Sequence, residues 1–299
     1  MKQTLFYLAC LLTIAAILSG CAGFSAPKPA PVSTTTSATA ATAATKPAGP
    51  TATATISTPS VVTVAAPVTA SPTATVTPLP SKTPKPTSTP KYAPVVKASD
   101  FVKAINNSYF PLVAGSTSIF SGTQDTSKLI EQITVTKKTR KIMNLTCVEV
   151  DSTLTVDDKL AETTTNWYAQ DKQGNVWSFG ASVKKYSTAG KVTSTAGSWL
   201  AGSNGALPGI VMQANPGADL TYRQDYSKGQ AEDMAQVLSL NESVTGTAGS
   251  YTNVLEIKEW SALKPDVVFN KWYAKDVGLI MSKEVQGGTQ ELQLTETKK

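Results

Sequence analysis

Residues 160–187 read LAETTTNWYAQDKQGNVWSFGASVKKYS. Two runs rich in Thr, Val and aromatic residues flank DKQGN, a polar stretch with one glycine. Such side chains suit a pleated, half-buried surface, and a short Gly-containing segment between two such runs reads as a hairpin turn. The pattern continues on both sides. LIEQITVTKKTRKIMNLTCVEVDSTLTV (129–156) alternates in character over two or three strands, and Asp157-Asp158 before Lys159 forms the turn of a further hairpin. VTGTAGSYTNVLEIKEWSAL (244–263) and VVFNKWYAKDVGLIMSKEVQGGTQELQLTE (267–296) carry strand character onward. Helix signals are few. ASDFVKAIN (98–106), with Ser99 as N-cap, predicts one short helix. AEDMAQVLSL (231–240) sets Ala231, Met234, Ala235 and Leu238 at helical spacing, yet its composition also suits a strand, and we read it as one.

There is an internal echo. Residues 167–171 are WYAQD and residues 272–276 are WYAKD; CVEV (147–150) and VLEI (254–257) stand at similar distances upstream. This predicts two copies of a β-meander unit, each passing through Trp-Tyr-Ala-x-Asp, a turn and another strand. The expected fold is all-β: an antiparallel meander forming a half-barrel, barrel or strongly curved sheet, from two related repeats with one or two short helices. It occupies residues 93–299, enough for a single sizeable core.

The rest of the chain differs. From about residue 24 to 92, Thr, Ala, Pro and Ser dominate and large apolar residues are few. Such a segment buries too little surface to offset the entropy of ordering, so residues 21–92 read as a disordered tether. The formal charge of +6 belongs there. No acidic residue precedes Asp100, whereas seven of the 27 basic residues do, leaving 20 basic against 21 acidic in the folded part. That near-neutral balance, and the lack of a nucleic-acid motif, argue against nucleic acid as a partner.

The N-terminus reads MKQTLFYLACLLTIAAILSGC: Lys2, an apolar stretch to Leu18, Ser19 and Gly20, then Cys21. This resembles the bacterial lipoprotein signal, in which a Leu and two small residues precede a Cys. The resemblance implies that residues 1–20 are removed and that Cys21 becomes the lipidated first residue, carrying palmitate-type acyl chains. It places the protein in the bacterial cell envelope, anchored on the extracytoplasmic side of a membrane; two or more chains hold such an anchor stably. Cys10 goes with the signal, and Cys147, in LTCVEV, reads as a small buried hydrophobe.

YFPLVAGSTSIFSG (109–122), WYAQDKQGNVWSFG (167–180), PGIVMQAN (208–215), YRQDYSKGQAEDMA (222–235) and WYAKDVGLI (272–280) resemble a family of uncharacterised bacterial exported proteins and lipoproteins. That resemblance implies no catalytic residues. More loosely, the meanders resemble the half-barrel sheets of lipoprotein-carrier proteins, which hold acyl chains against a curved sheet.

The chemistry available is narrow. The sequence has no His, which removes Ser-His-Asp and Cys-His arrangements and the commonest zinc ligand. Asp151, Asp157, Asp158, Asp171, Glu232, Asp233, Glu256 and Glu259 could serve a carboxylate enzyme, but no spacing singles out a pair. Glu256 and Glu259 fall on opposite faces of a regular strand. Asp171, Gln173 and Asn175 fit a hairpin turn better than a calcium loop. We therefore assign no catalytic residue, metal ligand or cofactor. Trp167, Tyr168, Trp177, Phe179, Trp272 and Tyr273 are candidate cup residues, although neighbours such as Trp167 and Tyr168 cannot share a face. Residues 193–218, TSTAGSWLAGSNGALPGIVMQANPGA, hold no charge and read as a long irregular loop folded over the open end of the sheet. Trp199, Trp167 and Trp272 are the ligand-binding candidates. The expectation is a non-enzymatic envelope lipoprotein binding an apolar ligand, lipid, glycan or envelope protein. The alternatives are a carboxylate enzyme acting on envelope glycans, or a spacer.

Overall fold

The computed structural model describes residues 91–299. A single 3-10 turn spans Ala98–Asp100. The strands are β1 (Phe101–Val102), β2 (Ile105–Asn107), β3 (Phe110–Leu112), β4 (Thr117–Gln124), β5 (Ser127–Ile142), β6 (Leu145–Val156), β7 (Lys159–Asp171), β8 (Val176–Tyr186) and β9 (Val192–Ser194). They continue with β10 (Trp199–Leu200), β11 (Leu207–Met212), β12 (Thr221–Arg223), β13 (Asp225–Tyr226), β14 (Asp233–Gly246), β15 (Gly249–Ser261), β16 (Lys264–Ala274), β17 (Gly278–Gln286) and β18 (Glu291–Lys298).

Two antiparallel meanders, β4 to β8 and β14 to β18, are joined side by side where β18 pairs with β4. The sheet runs β12-β14-β15-β16-β17-β18-β4-β5-β6-β7-β8-β11-β13. Its first and last strands, β12 and β13, are separated in the chain by Gln224 alone. The sheet therefore curls round until its ends meet at one residue, giving a nearly closed barrel, as the sequence had allowed. Gln224 secures the corner: its N–H donates to Asp233 O at 2.9 Å and its side chain donates to Glu259 Oε1 at 3.0 Å. Gly209 on β11 makes the approach feasible, since a Cβ there would lie 2.4 Å from the Gln224 carbonyl carbon. Gly122 does the same at the β4–β18 seam, where a Cβ would lie 1.8 Å from Glu291 O.

The predicted repeat has a structural counterpart. In β7–β8 the register slips between Trp167 and Tyr168, leaving Phe179 as an extra residue on β8. In β16–β17 it slips between Trp272 and Tyr273, leaving Ile280 extra on β17. Both extra residues are buried. Each Trp-Tyr pair thus sits at a β-bulge, which bends the strand and increases its twist.

Alternation decides the core. On β6, Val150, Ser152, Leu154 and Val156 are buried at every second position. Two clusters fill the interior: one around Val150, Tyr168, Ile257 and Tyr273, the other around Phe120, Leu129, Leu154 and Leu292. A third holds Leu145, Cys147, Trp167, Phe179 and Trp199. Each large apolar side chain so buried contributes about 1.5–3 kcal/mol.

Two expectations need correction. The helix expected over 98–106 is only the Ala98–Asp100 turn; the chain then extends into β1, paired with β7, and β2, paired with β3. Strand pairing satisfies more backbone there than an isolated two-turn helix could. Nor is 193–218 one irregular loop. β9, β10 and β11 pair successively along β8, so the segment is an interrupted edge strand with an excursion at 201–206. Glycine and small residues hid its strand character. The segment 231–240, read as a strand, enters β14 at Asp233. The expected signal (1–20) and nearly all of the expected tether (21–92) lie outside the described residues. Tyr92 already packs on the domain, donating its hydroxyl to Pro208 O at 2.8 Å.

Candidate functional site

Period two allows only one residue of each Trp-Tyr pair to face the barrel interior, and in both repeats it is the tyrosine. Tyr168 and Tyr273 belong to the same interior cluster and line one apolar cup of about 160 Å³. Phe110, Ile133, Val150 and Leu279 add to its apolar wall, and Ser118, Asn166, Asp276 and Lys299 are among the polar residues beside it. Phe110 meets Tyr168 edge-on, with ring centroids 5.4 Å apart.

The β2–β3 hairpin closes one side, and the ends of both echoed motifs fasten it. Gln170, in WYAQD, accepts the N–H groups of Asn106 and Asn107 at 2.8 and 2.9 Å and donates to Asn106 Oδ1 at 2.7 Å. Asp276, in WYAKD, donates its N–H to Ser108 O at 2.6 Å. Asn107 Nδ2 donates to Gly174 O and Gln213 O at 2.9 and 3.0 Å. The repeat thus has a job in each copy: the tyrosine lines the cup and the following residues hold its cap.

Beyond the cup the interior becomes charged. Phe120, Glu131, Leu154, Glu162 and Lys185 are successive cross-strand partners and so share one face. Ser152, in the cup wall, donates to Glu131 Oε1 at 2.6 Å. Burial pushes the Glu131 carboxyl up to about 7; the Ser152 hydrogen bond and the Lys271 charge oppose this. Lys271 pairs with Glu259, and Lys185 with Glu162 at 3.7 Å. Asp233 donates its N–H to Asp225 Oδ1 at 2.8 Å. Burial raises both of these aspartates, and Asp233's charge raises Asp225 further.

This layer bears on the carboxylate candidates. Asp233 and Glu259 are 7 and 8% exposed; the Asp233 backbone carbonyl and the Glu259 carboxylate serve the closing corner, and Glu259 also holds Lys271. Glu256, on the opposite face as expected, accepts from Asn270 at 2.7 Å. Asp151 accepts from Thr165 at 2.7 Å, and Glu232 from the Gly229 N–H at 2.9 Å. Asp157 and Asp158 adopt positive φ, 49° and 62°, at the β6–β7 turn. Asp171 accepts from the Asn175 N–H, the Asn175 side chain and Trp177 Nε1 within 2.9 Å, so it organises the hairpin turn. Burial pushes the Cys147 thiol up to about 12, which makes it a poor nucleophile.

The three tryptophans named as candidates lie elsewhere. Trp167 and Trp199 share a cluster and line a separate cleft; Trp272, on the other face of β16 from Tyr273, is half-buried against the cluster that includes Val254, Ala274 and Ile280. Tyr168 and Tyr273 are among the candidate cup residues of the sequence but not among its three binding candidates, and nothing local marks Phe110 or Val150. The signal that could have found the tyrosines is the echo combined with alternation.

Fold and site together define a nearly closed antiparallel β-barrel with a hairpin-capped apolar cup. No protein-family profile matches the sequence, and no curated protein does. Two solved structures are similar. One, named as an exported protein with a YmcC-like fold, is from Bacteroides fragilis; it is 16% identical, with a TM-score of 0.39 over 64% of this chain and 100% of that one. The other, named as a lipoprotein, is from Parabacteroides distasonis; it is 14% identical, with a TM-score of 0.39 over 64% of this chain and 99% of that one.

Proposed function

We propose that this protein is a non-enzymatic cell-envelope lipoprotein, held at a membrane by acylated Cys21 and a long tether, whose barrel binds an apolar group. The observation that carries the reading is the cup itself: apolar walls, two tyrosines from equivalent repeat positions, and a fastened cap. By size, a volume of about 150 Å³ accommodates a benzene-sized group. The cup therefore suits a ring or the end of an acyl chain, not a whole lipid. Leu279, half-buried at the wall, offers a test. The neutral fluorophore N-phenyl-1-naphthylamine binds the full chain with enhanced emission, and Leu279→Trp, which fills the cup, abolishes the enhancement while the thermal midpoint stays within a few degrees. Undiminished binding by a folded Leu279→Trp protein, or no binding by wild type, refutes the assignment.

A further inference from the structure

A second concavity, of about 400 Å³, lies between the β5–β6 hairpin, the interrupted edge strand and the turn after β13. Its charges are Arg140 and Lys228, and no carboxylate lines it. Neither cation has an ion-pair partner within 4 Å among the described residues. The nearby acids are engaged. Glu149 accepts Trp167 Nε1–H at 3.2 Å and pairs with Lys138 at 3.5 Å, while Glu232 accepts the Gly229 N–H.

The guanidinium is positioned. Arg140 Cζ stands 4.3 Å over the Trp167 ring, a geometry that holds the cation against an aromatic face. Trp167 and Trp199 are each 6% exposed, so they form the wall and leave little ring area for stacking. Trp199 also brings an indole N–H that is buried and has no partner among the described residues. Around these donors stand Ser182, Ser203, Asn204 and Gln230. Two cations without an ion-pair partner, a ring of neutral hydroxyl and amide groups and, in the wall, an unpartnered indole N–H make a cleft whose lining holds no negative charge. An oxyanion supplies that charge, and charge-assisted hydrogen bonds to it are the strong ones. The volume exceeds what a lone phosphate fills, and the neutral groups match hydroxyls.

We infer that this cleft binds an anionic saccharide, a sugar carrying a phosphate or carboxylate, with Arg140 and Lys228 on the anion and the Ser, Asn and Gln side chains on the hydroxyls. The site is distinct from the apolar cup, and its test does not depend on the cup. Calorimetric titration of the full chain with glucose 1-phosphate, glucose and inorganic phosphate separates the contributions. The expected order is glucose 1-phosphate first, inorganic phosphate about tenfold weaker, and glucose undetectable. Arg140→Gln and Lys228→Gln, both at exposed positions, each weaken glucose 1-phosphate roughly ten- to a hundredfold, as loss of a hydrogen bond to a charged group does. Trp199→Phe, which removes the N–H and keeps an aromatic wall, weakens it less. No binding of glucose 1-phosphate, or binding that both Gln variants retain, overturns the site. Equal affinity for inorganic phosphate overturns the saccharide assignment.

Discussion

Glu131 faces the barrel interior, is 2% exposed and has a carboxyl pushed from 4.5 to about 7 by burial. Folding therefore favours its protonated form. The stability this carboxyl contributes is fully present below the unfolded value of 4.5 and is lost as pH rises through 7. At about 1.4 kcal/mol per pH unit, the whole effect is roughly 3 kcal/mol. At pH 5 the unfolded chain has already lost most of that proton, so roughly 2–3 kcal/mol remains to be seen between pH 5 and pH 9. Glu131→Gln keeps the shape and the Ser152 hydrogen bond but cannot ionise. Urea unfolding of both proteins at pH 5, 7 and 9 isolates the group, because Asp225, Asp233 and every other carboxyl titrate in both. The expected result is a variant that gains on wild type by roughly 2–3 kcal/mol as pH rises. Parallel pH profiles for the two proteins would refute the claim that the interior desolvates this carboxyl.

Gly209→Ala places a methyl against the Gln224 backbone and must open the barrel corner. Overpacking of this kind costs about 1–3 kcal/mol or more, so a thermal melt followed by circular dichroism falls by roughly 5–10 °C; a change below about 2 °C contradicts the closure argument. Cys21→Ser removes the acyl acceptor, and the protein leaves the membrane fraction on a carbonate wash; retention of that variant contradicts the lipid anchor.

Several features were legible in the sequence because they rest on local chemistry. The period of two comes from neighbouring residues, and it carried the strand expectations; the Leu-Ser-Gly-Cys stretch and the Thr- and Pro-rich composition are equally local and support the anchor and tether that we propose. The echo of WYAQD in WYAKD was equally readable, and it marks equivalent bulges and equivalent roles. Local pattern fails where both faces of a strand are covered. On β7, Trp167 and Tyr168 are both buried, so hydrophobicity cannot tell which side is the inside.

Only the tertiary structure decided that the tyrosines face the cup, that β12 and β13 meet at Gln224, and that residues 193–218 run along the edge of β8. It also gathered Glu131, Glu162, Glu259 and Lys271 from four strands into one buried layer. The reason is physical: alternation fixes that two faces exist, while the joining of the two meanders at the β4–β18 seam, through contacts over a hundred residues apart, and the meeting of the sheet's ends at Gln224 fix which face is removed from water.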